Sequence, residues 1–244
     1  ALFVGKGAGG LAIGRDFFQA ARQGEYMQIM SIAVVGGGLA GCECALHLAR
    51  AGHSVTLFEQ KPGHRSAAHI SEHLAELVCS NSLRSDELTS GVGLLKAEMR
   101  ALGSDFMELA DAHRVPAGKA LAVDREAFAR AMTGRVAAQA NITLVEHQVA
   151  SLDDPVLAPF TGEGRAVVLA AGPMASEGPS ASLAEAVGST HCSFYDAIAP
   201  IVWMHSLNMD VVFRASRQGA EKGEAEGEGA SPHVPPRRAG EDAF

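Results

Sequence analysis

The chain has 244 residues, 47% of them apolar, and a net charge of −8, with a pI near 5.7. That apolar share supports a packed core in one large or two small domains. The acidic balance excludes a general attraction to nucleic acid or anionic membrane, and between Arg84 and Arg135 eight basic residues meet eight acidic ones. No apolar run reaches the length of a membrane span.

The first 29 residues read as an extension before a domain that starts at Met30. Gly5, Gly7 and Gly10 satisfy G-x-G-x-x-G. The apolar run before them is short, however, and no second strand ending in an acid follows. This copy is therefore a decoy. Its interrupting glycines and the lack of a basic start also argue against a signal peptide.

Ile32 to Val35 form an apolar run with β-branched residues that predicts a buried parallel strand. It breaks into Gly36-Gly37-Gly38-Leu39-Ala40-Gly41, and residues 39–50 then carry a helical pattern. In that setting Gly36 permits the turn, Gly38 admits a pyrophosphate and Gly41 lets helix and strand pack closely. The phosphates belong at the helix N-terminus. A second strand at 54–58 ends at Glu59, 18 positions after Gly41, where an acid that bonds an adenosine ribose is expected.

Residues 61–71 read as a loop. Residues 93–102 and 104–113 have helical spacing, with Ser104 as an N-cap. A short strand is expected at 121–123. Asp124 should cap a helix over 125–140, and a third parallel strand falls at 142–145. Residues 148–152 open a small antiparallel excursion. Residues 166–173 read as a buried strand running into Gly172-Pro173. The excursion and this last strand favour FAD over NAD(P). The expected cofactor contacts are Gly36, Gly37, Gly38, Leu39, Ala40, Gly41, Glu59, Val149, Ala171 and Gly172. From Gln218 onward the chain has almost no large apolar side chain, which predicts a disordered tail.

Four irregularly spaced cysteines, Cys42, Cys44, Cys79 and Cys192, suit a reduced, cytoplasmic protein. Cys42 and Cys44 read as packing residues. Cys79 has two readings: an inert buried thiol, or a thiolate nucleophile activated by Arg84, His69 or His73. His69 and His73, four apart, could share a helical turn as metal ligands. Glu72 and Glu76 make a solvated face as good a reading, so no metal is expected.

The run from Ala75 through Cys79-Ser80-Asn81-Ser82 to Ser85 resembles the signature of the folate- and FAD-dependent tRNA (uracil-5-)-methyltransferase family. The resemblance continues through residues 91–100, 115–118, 120–125 and 194–202, and covers roughly residues 31–217. It implies an α/β fold: a Rossmann-type FAD-binding domain at 30–175, with a parallel sheet and helices on both faces. An incomplete second α/β domain would open at 176–217, and 218–244 would fall outside the family.

The implied activity is methylation of a T-loop uridine at C5. FAD, reduced by NAD(P)H, passes to the uracil a carbon taken from 5,10-methylenetetrahydrofolate and a hydride of its own, after a cysteine thiolate has added to C6. tRNA is the implied partner, with no membrane and no metal. Cys79 matches the first of the family's two cysteines. The second belongs downstream of Ser216-Arg217, where this sequence has no cysteine. The expectation is therefore a truncated or frame-shifted product, inactive as it stands. Two alternatives remain: a generic FAD/NAD(P)-dependent oxidoreductase, and a non-catalytic nucleotide-binding fragment.

Overall fold

The structure is a computed structural model that describes residues 2–7, 10–13, 30–66, 69–162, 164–172, 177–187, 208 and 211. By its contacts the chain divides into Ala1–Ala199 and Pro200–Phe244. Of the second unit only a turn is described, in which the Val211 amide donates to the Asn208 carbonyl at 3.0 Å. The segments at 194–202 and 218–244, and Cys192, lie outside the described residues.

Nine strands are described: β1 (Leu2–Gly7), β2 (Gly10–Ile13), β3 (Ser31–Val35), β4 (Ser54–Glu59), β5 (Ser82–Ser85), β6 (Arg114–Val115), β7 (Ala120–Val123), β8 (Ile142–Glu146) and β9 (Arg165–Leu169). Five α-helices accompany them: α1 (Leu39–Arg50), α2 (Gly91–Ala101), α3 (Asp105–Ala112), α4 (Arg125–Ala137) and α5 (Glu177–Val187). The main sheet runs β2-β1-β9-β3-β4-β8. Its β9-β3-β4-β8 portion is parallel, and β1 joins the far edge of β9 antiparallel. A second, antiparallel sheet has the order β5-β7-β6. This is an α/β, Rossmann-type architecture.

Alternation along β3 sorts the core. Ile32 and Val34 face one side with Val55, Leu57, α1, Phe128 and Met132. Ala33 and Val35 face the other with Phe58, Val149 and Leu157. Helical cover on that second face is a 3₁₀ segment, Pro155–Phe160. Strands buried on both faces read as continuous apolar runs, which is why β3 and β9 were recognisable. Three helices of the first face meet at Asp105, which is 4% exposed. Its carboxylate takes Arg50 of α1 at 2.8 Å and Arg135 of α4 at 2.5 Å.

Of the decoy glycines, Gly5 and Gly7 lie in β1 and Gly10 opens β2, with Gly7 facing Gly10, so this motif sits in an antiparallel strand pair. The expected extension thus supplies two strands of the sheet. The antiparallel excursion at 148–152 does not form. Asp154 instead accepts the Ala150 amide at 2.9 Å and the Val156 amide at 3.1 Å, which starts the 3₁₀ turn where a ladder would have run. The helix capped by Asp124 ends at Ala137, short of residue 140. The Asn141 side chain ties the turn beyond it to the Ala49 and His53 carbonyls, at 2.8 and 2.7 Å. Ser104 caps α3 as expected, accepting the Met107 amide.

Phe128 is fully buried and meets Phe106 edge-on, with ring centroids 5.5 Å apart. Phe128→Ala should therefore destabilise the chain by about 3–5 kcal/mol. Urea unfolding followed by far-UV circular dichroism measures this.

Candidate functional site

The site grows from the end of β3. Gly36 has φ +104°, and a Cβ there would lie 2.6 Å from the Ala170 carbonyl oxygen. A Cβ on Gly41 would lie 1.8 Å from the Gly36 oxygen, so only glycine lets α1 seat on the strand. Gly38 is different: a Cβ there meets nothing within 4 Å. The protein gives no internal reason for that glycine, and the open space is what a closely approaching ligand would need. Gly38 is also the N-cap of α1, with no side-chain cap and no acidic residue in the first turn. The helix N-terminus therefore faces open space, where its amides favour an anion.

Gly37 has a role the motif does not announce. Its amide donates to Glu59 Oε2 at 2.7 Å. Its carbonyl accepts from the Ala75 amide at 2.8 Å and from Cys42 Sγ at 3.2 Å. Glu59, 8% exposed, also accepts the Lys61 amide on Oε1 at 3.0 Å. Burial, then the Glu59 carboxylate, pushes the Cys42 thiol up to about 12, so it stays protonated and available as a donor. Burial likewise raises Cys44.

These elements wall a cavity of about 320 Å³. Gly36, Gly38, Leu39, Ala40, Glu59, Val149, Ala171 and Gly172, all named above as candidate cofactor contacts, line it. Gly37 and Gly41 stand behind the wall, for the packing reasons above. Val78 lines the cavity, and its neighbour Cys79 does not. Cys79 is a half-buried free thiol. Of its expected activators, His69 lines the cavity with Nδ1 2.6 Å from Ser66 Oγ, and Arg84 is exposed on β5.

Two residues in the wall region escaped the sequence reading. Glu76 does not belong to a solvated face with Glu72. Its side chain is 6% exposed and pairs with buried Lys61 at 3.3 Å, whereas Glu72 pairs with Arg65 at the surface. Glu76 Oε1 accepts the Ile70 and Ser71 amides at 2.9 and 3.1 Å, and Lys61 Nζ also reaches the His73 carbonyl. The segment holding His69 and His73 is thus an irregular loop stapled from within, not a helical turn. Among the described residues no group of three or more His, Cys, Asp and Glu is placed to hold a metal. No described helix is long and apolar enough to cross a membrane.

A glycine turn between two parallel strands, answered by a buried acid on the second, defines a dinucleotide-binding domain. The chain belongs to the glucose inhibited division protein A family, which matches residues 31–229. Among curated relatives, the methylenetetrahydrofolate–tRNA-(uracil-5-)-methyltransferase TrmFO of Oleidesulfovibrio alaskensis is 62% identical over 193 residues, covering 79% of this chain and 42% of that protein. The enzyme of the same name from Nitratidesulfovibrio vulgaris Hildenborough is 58% identical over 216 residues, covering 88% and 44%. The chain thus spans less than half the length of these relatives. Among solved structures, GidA of Aquifex aeolicus aligns over 59% of this chain and 24% of its own, at 16% identity and a TM-score of 0.41.

Two substitutions separate the glycine roles. Gly41→Ala should lower the melting temperature and abolish dinucleotide binding. Gly38→Ala should leave the unliganded melt unchanged and weaken binding by roughly tenfold or more, about 1.4 kcal/mol. Differential scanning fluorimetry and a flavin titration read both.

Glu76 gives a pH test. Burial alone would raise its pKa, but the Ile70 and Ser71 amides and Lys61 outweigh it and hold the carboxyl below its ordinary 4.5. A depressed carboxyl stabilises the fold above the unfolded value, and that stabilisation is lost as pH falls through the folded one. Glu76→Gln should therefore melt below the wild type at neutral pH, with the difference closing as pH drops beneath 4.5.

Proposed function

We propose that the chain is an FAD-binding portion of a folate-dependent tRNA (uracil-5-)-methyltransferase. The observation that carries this reading is the fastening of the Cys79 segment to the glycine cradle. The Ala75 amide bonds the Gly37 carbonyl at 2.8 Å, and Val78 enters the cavity wall. Relatives bearing this name share 58–62% of aligned residues.

The residues present fit the cofactor. The α1 N-terminus and the space above Gly38 would hold the diphosphate, Glu59 the ribose hydroxyls, and Val149 the adenine edge. Ala171 and Gly172 would border the flavin end. When bound, FAD supplies the carrier of one carbon and of electrons. The chain's own residues bind and orient. Lys61 and Glu76 fix the loop that leads to Val78 in the cavity wall, and Cys79, the next residue, would supply a thiolate. Methylenetetrahydrofolate, a reduced nicotinamide and tRNA are the implied cosubstrates, and the cytoplasm is the implied compartment. We read residues 30–175 as the flavin domain, 176–217 as the opening of a second domain, and 218–244 as a tail.

The purified chain should take up FAD stoichiometrically, seen in its visible absorbance. Bound FAD should slow alkylation of Cys79 by iodoacetamide, followed by peptide mass spectrometry. Alkylation indifferent to bound FAD would sink the placement of Cys79. Methylenetetrahydrofolate should change the spectrum of the reduced holoprotein; no change would favour a plain oxidoreductase.

A further inference from the structure

Arg84 on β5 carries a conformation and a charge that neither the cavity nor the core uses. Its backbone is left-handed, with φ +66°, a region that residues with a Cβ enter only at a cost. The cause is a bulge. Ser82 faces Ala122 and Ser85 faces Ala120, so β5 takes an extra residue and its chain is re-aimed there. Glycine or asparagine would suit such a position better, yet the sequence places a long cation in it.

That cation is exposed, and among the described residues it makes no ion pair. The neighbouring carboxylate is already committed, since Asp86 holds Arg100 at 3.0 Å and Arg114 at 2.9 Å. Lys96 lies beneath the strand, 6% exposed, with Nζ donating to the Ser85 carbonyl at 2.8 Å and the Val92 carbonyl at 3.2 Å. Burial chiefly lowers the Lys96 pKa; Asp86 opposes this, while Arg100 and Arg84 add to it. Asp86 and Asp111 are matched by Arg100 and Arg114, which leaves the Arg84 charge without a paired carboxylate among the described residues. Beside Arg84, Asn81 and Ser82 are also open to solvent, with hydroxyl and amide groups suited to a sugar–phosphate chain. Asn81, Ser82 and Arg84 all lie within five residues of Cys79.

We propose that Arg84 is a positioning residue that binds a backbone phosphate of the RNA whose uracil is presented to Cys79. The inference rests on the tRNA reading above. A planar guanidinium matches phosphate in two-pronged fashion, and a phosphate contact sets register without reading sequence. An RNA backbone fits better than the carboxylates of a folate, because Arg84, Asn81 and Ser82 are absent from the cavity lining and face solvent.

The test is an anisotropy titration of a fluorescein-labelled RNA stem–loop with an unpaired uridine. It uses the full chain supplied with FAD, over a series of salt concentrations. Arg84→Gln should weaken binding roughly 5–10-fold at moderate salt and reduce the slope of log K against log salt by about 0.7–0.9. Arg84→Lys should keep the slope. Arg84→Gly removes charge and strain together. It should lose the same affinity and slope while melting no lower than the wild type, a combination that a purely structural arginine would not give.

An unchanged slope in Arg84→Gln overturns the proposal, as does a wild-type chain that binds no RNA. Weakened binding of a polyglutamylated folate with the RNA slope untouched also overturns it, and reassigns the charge to the cosubstrate. Flavin absorbance on the same samples keeps the two readings apart. A chain without FAD whose RNA slope still falls in Arg84→Gln retains the phosphate contact and refutes the flavin reading.

Discussion

The structure depends on one peptide unit, Gly37, held at both ends. Its N–H is fixed by a carboxylate from β4, and its carbonyl by a backbone amide from the Cys79 segment and a thiol from α1. Buried backbone groups must find partners; here the partners come from three separate elements. The loop is thereby tied through Gly37 to β4 and α1, which both wall the cavity. A Cβ on Gly37 would meet Leu74 at 2.6 Å and Glu59 at 2.7 Å, so the tie leaves no room for a side chain.

The second constraint is electrostatic. Lys61 and Glu76 form an ion pair whose side chains are 3% and 6% exposed. Burying such a pair gives little net stability, whereas removing one partner leaves an uncompensated charge. What the pair supplies is position: one carboxylate and one ammonium gather Ile70, Ser71 and His73 into a defined loop. A segment without regular ladders gains order from these bonds and sets the course of the chain toward Val78 and Cys79.

The sheet and the cradle were legible because their signals are local. Ile32 to Val35 form an unbroken apolar run, and the spacing of Gly36, Gly38, Gly41 and Glu59 follows from one strand–helix–strand unit. Val149, Ala171 and Gly172 follow once the strand order is known. Other features depend on partners far along the chain. Glu76 looks like a surface residue beside Glu72, and only Lys61 makes it a buried one. The excursion at 148–152 was lost to a single side chain, Asp154, which captured the amides a ladder needs. Cys42 could be read as buried from helical spacing, but the direction of its thiol could not. The bulge at Arg84 depends on β7, whose pairing with β5 leaves no trace in the local pattern.

The order of the main sheet also governs how the chain comes together. β3 pairs with β4, close in sequence, and with β9, which arrives much later: Ser31 lies against Arg165. Contacts of such long span slow folding, because loop closure precedes any gain from pairing. On a ribosome, one edge of β3 stays unpaired until β9 has emerged, and an open strand edge invites pairing with another chain. The wall formed by Ala170 to Gly172 arrives with β9. The glycine turn is thus laid down early and waits, open on one side, until β9 closes it.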